Sequence, residues 1–280
     1  MSYQNKHRDH SIFKSYYFSL LESLGQQAGF KQVKFRIKTK IFLLDSTTIS
    51  LCLSLFDWAK YKTAKGAVKL HTLLDYDGNL PVYVNITDGK TADNKGAYDV
   101  PLHKGSVIVA DRFYNDFSLL NVWDSNQLSF VTRHKENLQY TVIKENILPE
   151  NRHKNILIDE MIELKTPKSK KAYPEKLRRV AVWDEKNEQT IEIITNQMSW
   201  TANTISELYK SRWQIEIFFR EIKQNLHIKS FIGTTQNAVM IQIWTALITI
   251  LILKAMAKHK WHLSNLIAFI RLNIFVKINF

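Results

Sequence analysis

One cysteine, five prolines and eight glycines are the whole complement of these three types in 280 residues. A lone Cys52 excludes an intramolecular disulfide and any cysteine-rich zinc site. Scarce Gly and Pro beside 45% apolar residues exclude a low-complexity chain and allow one large core, or a core carrying an insertion. The start, Met1 to Lys14, lacks the apolar stretch of a signal peptide, so a reducing cytoplasm is the expected setting. Acidic residues are also few: 26 Asp and Glu face 39 Lys and Arg, a formal charge of +13 that points to a polyanion, nucleic acid before an acidic membrane surface. Long hydrophobic runs are missing too. The stretch Val239 to Leu253, 15 residues closed by Lys254, falls short of the roughly 20 that span a bilayer and reads as a buried core helix, so no membrane partner is expected.

Charge is unevenly spread. No Asp or Glu follows Glu221, whereas Lys223, Lys229, Lys254, Lys258, Lys260, Arg271 and Lys277 do. A second basic cluster holds Lys165, Lys168, Lys170, Lys171, Lys176, Arg178 and Arg179. Pro167 and Pro174 favour a loop there, either a solvated hairpin tip or an arm that contacts phosphates, and the two readings are compatible.

Along the chain, Ser11 to Gln27 reads as a helix. The apolar, β-branched run within Lys40 to Leu53 reads as a buried strand with Asp45 inside it. Strands over Val68 to Asp75 and Leu80 to Thr87 flank a hairpin signal at Tyr76 to Asn79. Asp93 or Asn94 can cap a short helix to about Pro101, and Ser106 to Ala110 makes a fourth strand ending at Asp111. Asp116 can cap a helix through about Gln127, before a fifth strand over Leu128 to Thr132. From 134 to 196, strand-like pieces (Tyr140 to Ile143, Arg179 to Trp183, Thr190 to Thr195) lie among charged loops, which suggests a β-rich insertion. Thr201 or Asn203 then caps one long helix to about Leu226, followed by a helix from Asn237 to Lys258 and a short tail helix from Ser264. The expected fold class is α/β, with a mixed sheet flanked by helices. The expected divisions are a short segment 1–38, a core in two parts (39–133 and 197–260), the insertion 134–196 and the tail 261–280.

At about 100° per residue, Tyr209, Arg212, Glu216 and Lys223 fall on one narrow stripe of the helix over 201–226, beside an apolar face of Leu208, Ile215, Phe219, Ile222 and Leu226. Taken alone, Arg212 and Glu216 read equally well as an ordinary i,i+4 ion pair. The strand aspartates shift that balance, because a carboxylate inside an apolar strand must find a cation, a donor or a metal. Three carboxylates brought together would offer hard oxygen ligands to two Mg²⁺ ions, the arrangement that stabilises the attacking and leaving oxygens of a phosphodiester. Trp213, next to Arg212, suits either stacking on a displaced base or packing at the helix margin, and Trp183 has a weaker claim to the same. Lys69 and His71 read as supporting or structural strand residues, and Ser46, Thr47 and Thr48 as donors to Asp45 or simple β-formers.

The segments LLDSTTISLCLSLFDWAK (Leu43 to Lys60), GAVKLHTLLDYDGNLPVYVNITDGK (Gly66 to Lys90) and VIVADRFYNDFSLL (Val107 to Leu120), with the Tyr209, Arg212, Glu216, Lys223 spacing, closely resemble the insertion-sequence-four family of DDE transposases and its YREK pattern. The similarity runs from about residue 40 to 260. It implies a ribonuclease H-like core whose third carboxylate lies on a helix after a β-rich insertion. By motif match it implies Asp45, Asp111 and Glu216 as catalytic and metal ligands for two Mg²⁺ ions, with Mn²⁺ able to substitute. It implies Tyr209, Arg212 and Lys223 as DNA contacts near the cleaved phosphate, to which residue chemistry adds Trp213, Lys168, Lys170 and Lys171. The implied activity is cut-and-paste transposition in a bacterial cytoplasm, at the nucleoid: cleavage at terminal inverted repeats, a hairpin intermediate, and insertion into target DNA by a homodimeric synaptic complex. The chain departs from the family pattern at Phe113, where Gly is common, at Ala92–Asp93 in place of His–Asp, and in having only 44 residues before Asp45. A shortened, DNA-binding remnant that represses transposition is therefore the alternative expectation.

Overall fold

The computed structural model describes residues 3, 7–27, 39–51, 58, 60–62, 65–150, 152–225, 231, 233–256, 265 and 268. Leu226 and, apart from residues 265 and 268, the expected tail helix lie outside them. The elements are α1 (His10–Gln27), β1 (Ile41–Leu51), β2 (Lys60–Lys62), β3 (Lys65–Asp75), β4 (Leu80–Asp88), β5 (Val107–Ala110), α2 (Phe117–Ser125) and β6 (Ser129–Arg133). They continue with β7 (Tyr140–Glu145), β8 (Ile156–Leu164), α3 (Pro167–Ala172), β9 (Leu177–Asp184), β10 (Gln189–Thr195), α4 (Ala202–Ser211), α5 (Trp213–Asn225) and α6 (Gln236–Met256).

β1, β3 and β4 form an antiparallel meander, as the Tyr76–Asn79 turn predicts, with Asn79 in the left-handed region at φ 51°. β5 and β6 then add in parallel to β1, so the first part of the sheet reads β4-β3-β1-β5-β6. This is the strand order of a ribonuclease H-like sheet, as expected. Its parallel half is built from runs such as Val107, Ile108, Val109 and Ala110, all fully buried, which is what strands covered on both faces require. One face is covered by α1, α4, α5 and α6, which bury Tyr17, Leu208, Ile215, Phe219 and Trp244 against Leu43 and Val109. The other is covered by α2 and the residues around α3, with Trp123 and Tyr173 against Leu44, Ile108 and Phe130.

The 134–196 segment is β-rich and continues the same sheet: β10 pairs antiparallel with β6, and β9, β8 and β7 follow. Other expectations need correction. Strand β8 was hidden by its charges. Its Asp159 and Glu160 are buried because Arg178 and Arg179, on β9, neutralise them: Arg178 donates to Asp159 at 2.8 and 2.6 Å and Arg179 donates to Glu160 at 2.7 Å. The loop expected at Lys165–Lys171 contains helix α3, with Thr166 as its N-cap. Around Asn94 only a 3₁₀ turn forms, Lys95–Ala97, and no side chain caps it. The long helix over 201–226 is interrupted for one residue at Arg212, whose N–H bonds back to Tyr209 O in a tightened turn. The apolar helix α6 spans 21 residues, close to the expected bounds, and is long and apolar enough to cross a bilayer, yet most of it is buried against α1 and the core.

Candidate active site

Strand parity brings the aspartates together. β1 and β5 run parallel with Leu43 level with Val109 and Leu44 level with Ala110, so Asp45 and Asp111 come next at the same height on the face covered by α4 and α5. Glu216, in the first turn of α5, faces them because Ile215, Phe218, Phe219 and Ile222 anchor that helix on the same face. Arg212 links the set: its Nη2 lies 2.6 Å from Glu216 Oε1 and its Nη1 3.6 Å from Asp45 Oδ2. The guanidinium also lies 5.8 Å from the Tyr209 ring centre. Two of the three carboxylates predicted from the sequence therefore contact one cation, and the third, Asp111, is near enough for its charge to act on it.

Burial pushes the Asp45 carboxyl up to about 7, because its charged form loses water; the Ser46 backbone N–H (2.7 Å) and Arg212 oppose the rise, while the Asp111 and Glu216 charges add to it. Burial alone would lower the Arg212 guanidinium, but Tyr209, Asp111, Glu216 and Asp45 together hold it above its ordinary value. Tyr209, almost fully buried, is raised chiefly by desolvation. A cleft of about 370 Å³ opens beside the carboxylates, lined by Asp45, Ser46, Thr47, Glu216, Phe219, Arg220, Lys223 and Gln224. Asp45, Ser46 and Thr47 of β1 thus form one wall, and Glu216, Arg220 and Lys223, spaced along α5, form the other.

The donor chemistry fits a divalent ion: Asp45, largely withdrawn from water, and Glu216 share a single guanidinium, and the Asp111 charge acts on the same groups. The groups do not form a closed cage, however. Among the described residues no three His, Cys, Asp or Glu side chains stand close enough to hold a metal.

The remaining predicted contacts divide. Lys223 lines the cleft and Trp213 is 53% exposed beside it in sequence, at the start of α5. Lys168, Lys170 and Lys171 do not join the site: they are on α3, which packs on α2 and β8, and Tyr173 just beyond it donates to Asp124 at 2.6 Å. Asp124 lies at the end of α2 that approaches Leu128, before β6, so this corner is at the end of the sheet away from Asp111. A second cleft, of about 380 Å³ and lined by Lys104, Trp123 and Leu128, opens at that same distant end.

Sequence reasoning missed Asp93. Its carboxylate accepts from the Ser46 hydroxyl and pairs with Lys69 Nζ at 3.0 Å, so the residue after Asp45 is tied to a charged pair on the opposite face of the sheet. Lys69 also donates to Thr91 O at 2.7 Å, and His71 Nε2 bonds Thr87 Oγ1 at 3.0 Å, which gives both strand residues a supporting role. The fully buried Tyr114 backs the same corner and is raised well above its ordinary value by burial and by the nearby aspartates. Only the contact register could have revealed this cluster. Phe113, the departure from the common Gly, points outward and is exposed next to Arg112.

The family profile of the transposase DDE domain matches residues 36–252. Three curated relatives are described as transposases: y4zB of Sinorhizobium fredii, 31% identical over 85% of this chain and 67% of that protein; the protein of element IS5377 of Geobacillus stearothermophilus, 29% identical over 78% and 57%; and the protein of element IS4SA of a Synechocystis species, 28% identical over 89% and 69%. The chain thus spans between 57% and 69% of the length of these relatives. Among solved structures, the piggyBac transposase synaptic complex with hairpin DNA is similar over 83% of this chain and 52% of that one, at 11% identity and a TM-score of 0.46.

Proposed function

The chain belongs to the DDE-domain transposase family, and from that membership we propose that it cleaves and rejoins DNA phosphodiesters at the ends of an insertion sequence, with Asp45, Asp111 and Glu216 as the catalytic carboxylates. The observation that carries the reading is that Arg212 bridges Glu216 and Asp45, with Asp111 ending the neighbouring parallel strand, beside a cleft lined by both bridged carboxylates, Arg220 and Lys223. Two Mg²⁺ ions, or Mn²⁺, held by the carboxylate oxygens would supply positive charge at the attacking and leaving oxygens of the phosphodiester.

The chain's own residues provide the rest. Arg220 and Lys223 line the cleft further along α5 from Glu216 and offer positive charge to the DNA backbone. Tyr209 packs against the Arg212 guanidinium and fixes its direction, while Trp213, exposed at the start of α5, offers a flat face to a base displaced from the duplex. Ser46 holds the Asp45 carboxylate through its backbone N–H, so that carboxylate meets the substrate already oriented. The proposed pathway is cut-and-paste movement through a hairpin, acting on terminal inverted repeats and target DNA, with a homodimer as the synaptic form.

The test is incubation of the purified protein with a labelled duplex carrying its flanking inverted repeat, with Mg²⁺ or EDTA, beside Asp111→Asn. Metal-dependent cleavage at the repeat boundary, lost in the variant, is the expected result; a hairpin product fixes the pathway. Equal binding by both proteins with cleavage by neither would replace this reading with that of a repressor that occupies the element ends.

A further inference from the structure

We infer that Arg212 is the counter-ion of the carboxylate cluster in the metal-free protein and exchanges with the metal, so that metal binding releases its guanidinium towards DNA. The inference rests on the reading of Asp45, Asp111 and Glu216 as metal-holding carboxylates. Arg212 sits at the one-residue break between α4 and α5, and its side chain is only 15% exposed, enclosed by Tyr209, Asp45 and Glu216. Its Nη atoms reach two carboxylates from two different elements, β1 and α5. It therefore stands between Asp45 and Glu216, and among the described residues no three acidic side chains form a metal cage while it is there.

The fit of the guanidinium is incomplete. The bond to Glu216 is short, but Asp45 is reached only at 3.6 Å, and the buried Nε has no hydrogen-bond partner. An arginine built to remain in place would be expected to make a two-pronged contact with one carboxylate and leave no donor unmet. Charge leads to the same conclusion. One guanidinium balances one of three carboxylates, so the cluster still favours a cation of higher charge, and two cations cannot share its centre. A divalent ion entering must displace Arg212. The open space next to it is the cleft lined by Arg220 and Lys223, where a phosphate would be met. Metal and DNA then strengthen each other's binding through one side chain, and by linkage the coupling is reciprocal.

The experiment measures Mn²⁺ binding to the full chain without DNA, by electron paramagnetic resonance of the free ion, for wild type and Arg212→Gln. The melting curve of each variant establishes that it is folded. Freed from competition with a charge-assisted hydrogen bond, the glutamine variant is expected to bind Mn²⁺ about tenfold more tightly or better. Arg212→Lys, which keeps the charge with a single-point contact, should fall between them and replaces the glutamine variant if that one does not fold. A parallel titration follows a labelled duplex in Ca²⁺ and in EDTA: Arg212→Gln should weaken binding in Ca²⁺ and leave it unchanged in EDTA. Equal or weaker Mn²⁺ affinity in a folded variant, or equal loss of DNA affinity with and without metal, overturns the exchange. If wild type binds no Mn²⁺, the carboxylate site itself is misassigned and the exchange falls with it.

Discussion

Replacing Asp45 by Asn should stabilise the metal-free protein at pH 8 while abolishing cleavage. The reason is the cost of an ionised carboxylate withdrawn from water in the first strand. Its folded value of about 7 stands against an ordinary 3.8, a difference of about three units, and one unit corresponds to about 1.36 kcal/mol. Ionised Asp45 therefore costs the fold about 4 kcal/mol at pH 8. The direction with pH follows from proton counting. Between pH 4 and 7 the folded state holds a proton that the unfolded chain has released, so wild-type stability falls as pH rises through that window and levels off above it. Asn imitates the protonated acid but adds a buried amide donor, so a gain of about 2–4 kcal/mol at pH 8 is reasonable, or about 5–10 °C in melting temperature for a chain of this size. At pH 4 the two proteins should melt together. Scanning calorimetry in EDTA at pH 4, 5.5 and 8 reads this directly. A variant that melts below wild type at pH 8, or a gain that does not change with pH, refutes the argument.

Glu216→Gln should keep the fold and lose metal-dependent cleavage by at least about a hundredfold, read by gel analysis of the labelled duplex, because it removes a carboxylate from the cluster and weakens the hold on Arg212. Arg178→Met leaves Asp159 buried without its partner and frees the carbonyls of Gln197, Met198 and Trp200, which Arg178 now binds ahead of α4. A loss of about 3–5 kcal/mol in urea unfolding is expected, and a loss under 1 kcal/mol would show that the pair is dispensable. Gly96→Ala places a Cβ 2.9 Å from Nδ1 of the buried His71 ring, and should cost about 1–3 kcal/mol by the same assay. An unchanged midpoint there would mean that the 3₁₀ turn after Asn94 shifts freely.

How much was legible in the sequence depended on whether the signal was local. Strands β1, β3 to β6 and helix α2 follow from apolar runs and from caps such as Asp116, whose carboxylate accepts from the Ser118 and Leu119 N–H groups at the predicted place. The stripe of Tyr209, Arg212 and Glu216 was also readable, since helical spacing alone aligns them, and Arg212 does touch both neighbours. What was not legible depended on partners far away in the chain. β8 carries Asp159 and Glu160 in alternation-breaking positions, and nothing nearby announces that Arg178 and Arg179 will neutralise them. The same holds for Glu192, which Arg179 and His134 draw down to about 2 against the opposing effect of burial. Asp93 looked like a helix cap because capping is a local rule, whereas Ser46 and Lys69 claim it across the sheet. The basic run at Lys168 to Lys171 could be counted but not placed, since charge counting carries no information about which end of a sheet a loop will occupy.

Because β10 closes directly on β6, the chain must complete the whole excursion through β7, β8 and β9 before α4 and α5 can lie across Asp45 and Asp111. A polypeptide emerging from the ribosome thus exposes both strand aspartates well before Glu216 has been synthesised, and the pairing that positions α5 is among the most distant in the chain. On the proposed reading, scission chemistry would be acquired late in synthesis. A chain released by a premature stop anywhere before α5 would contain the central strands without the third of the proposed catalytic carboxylates.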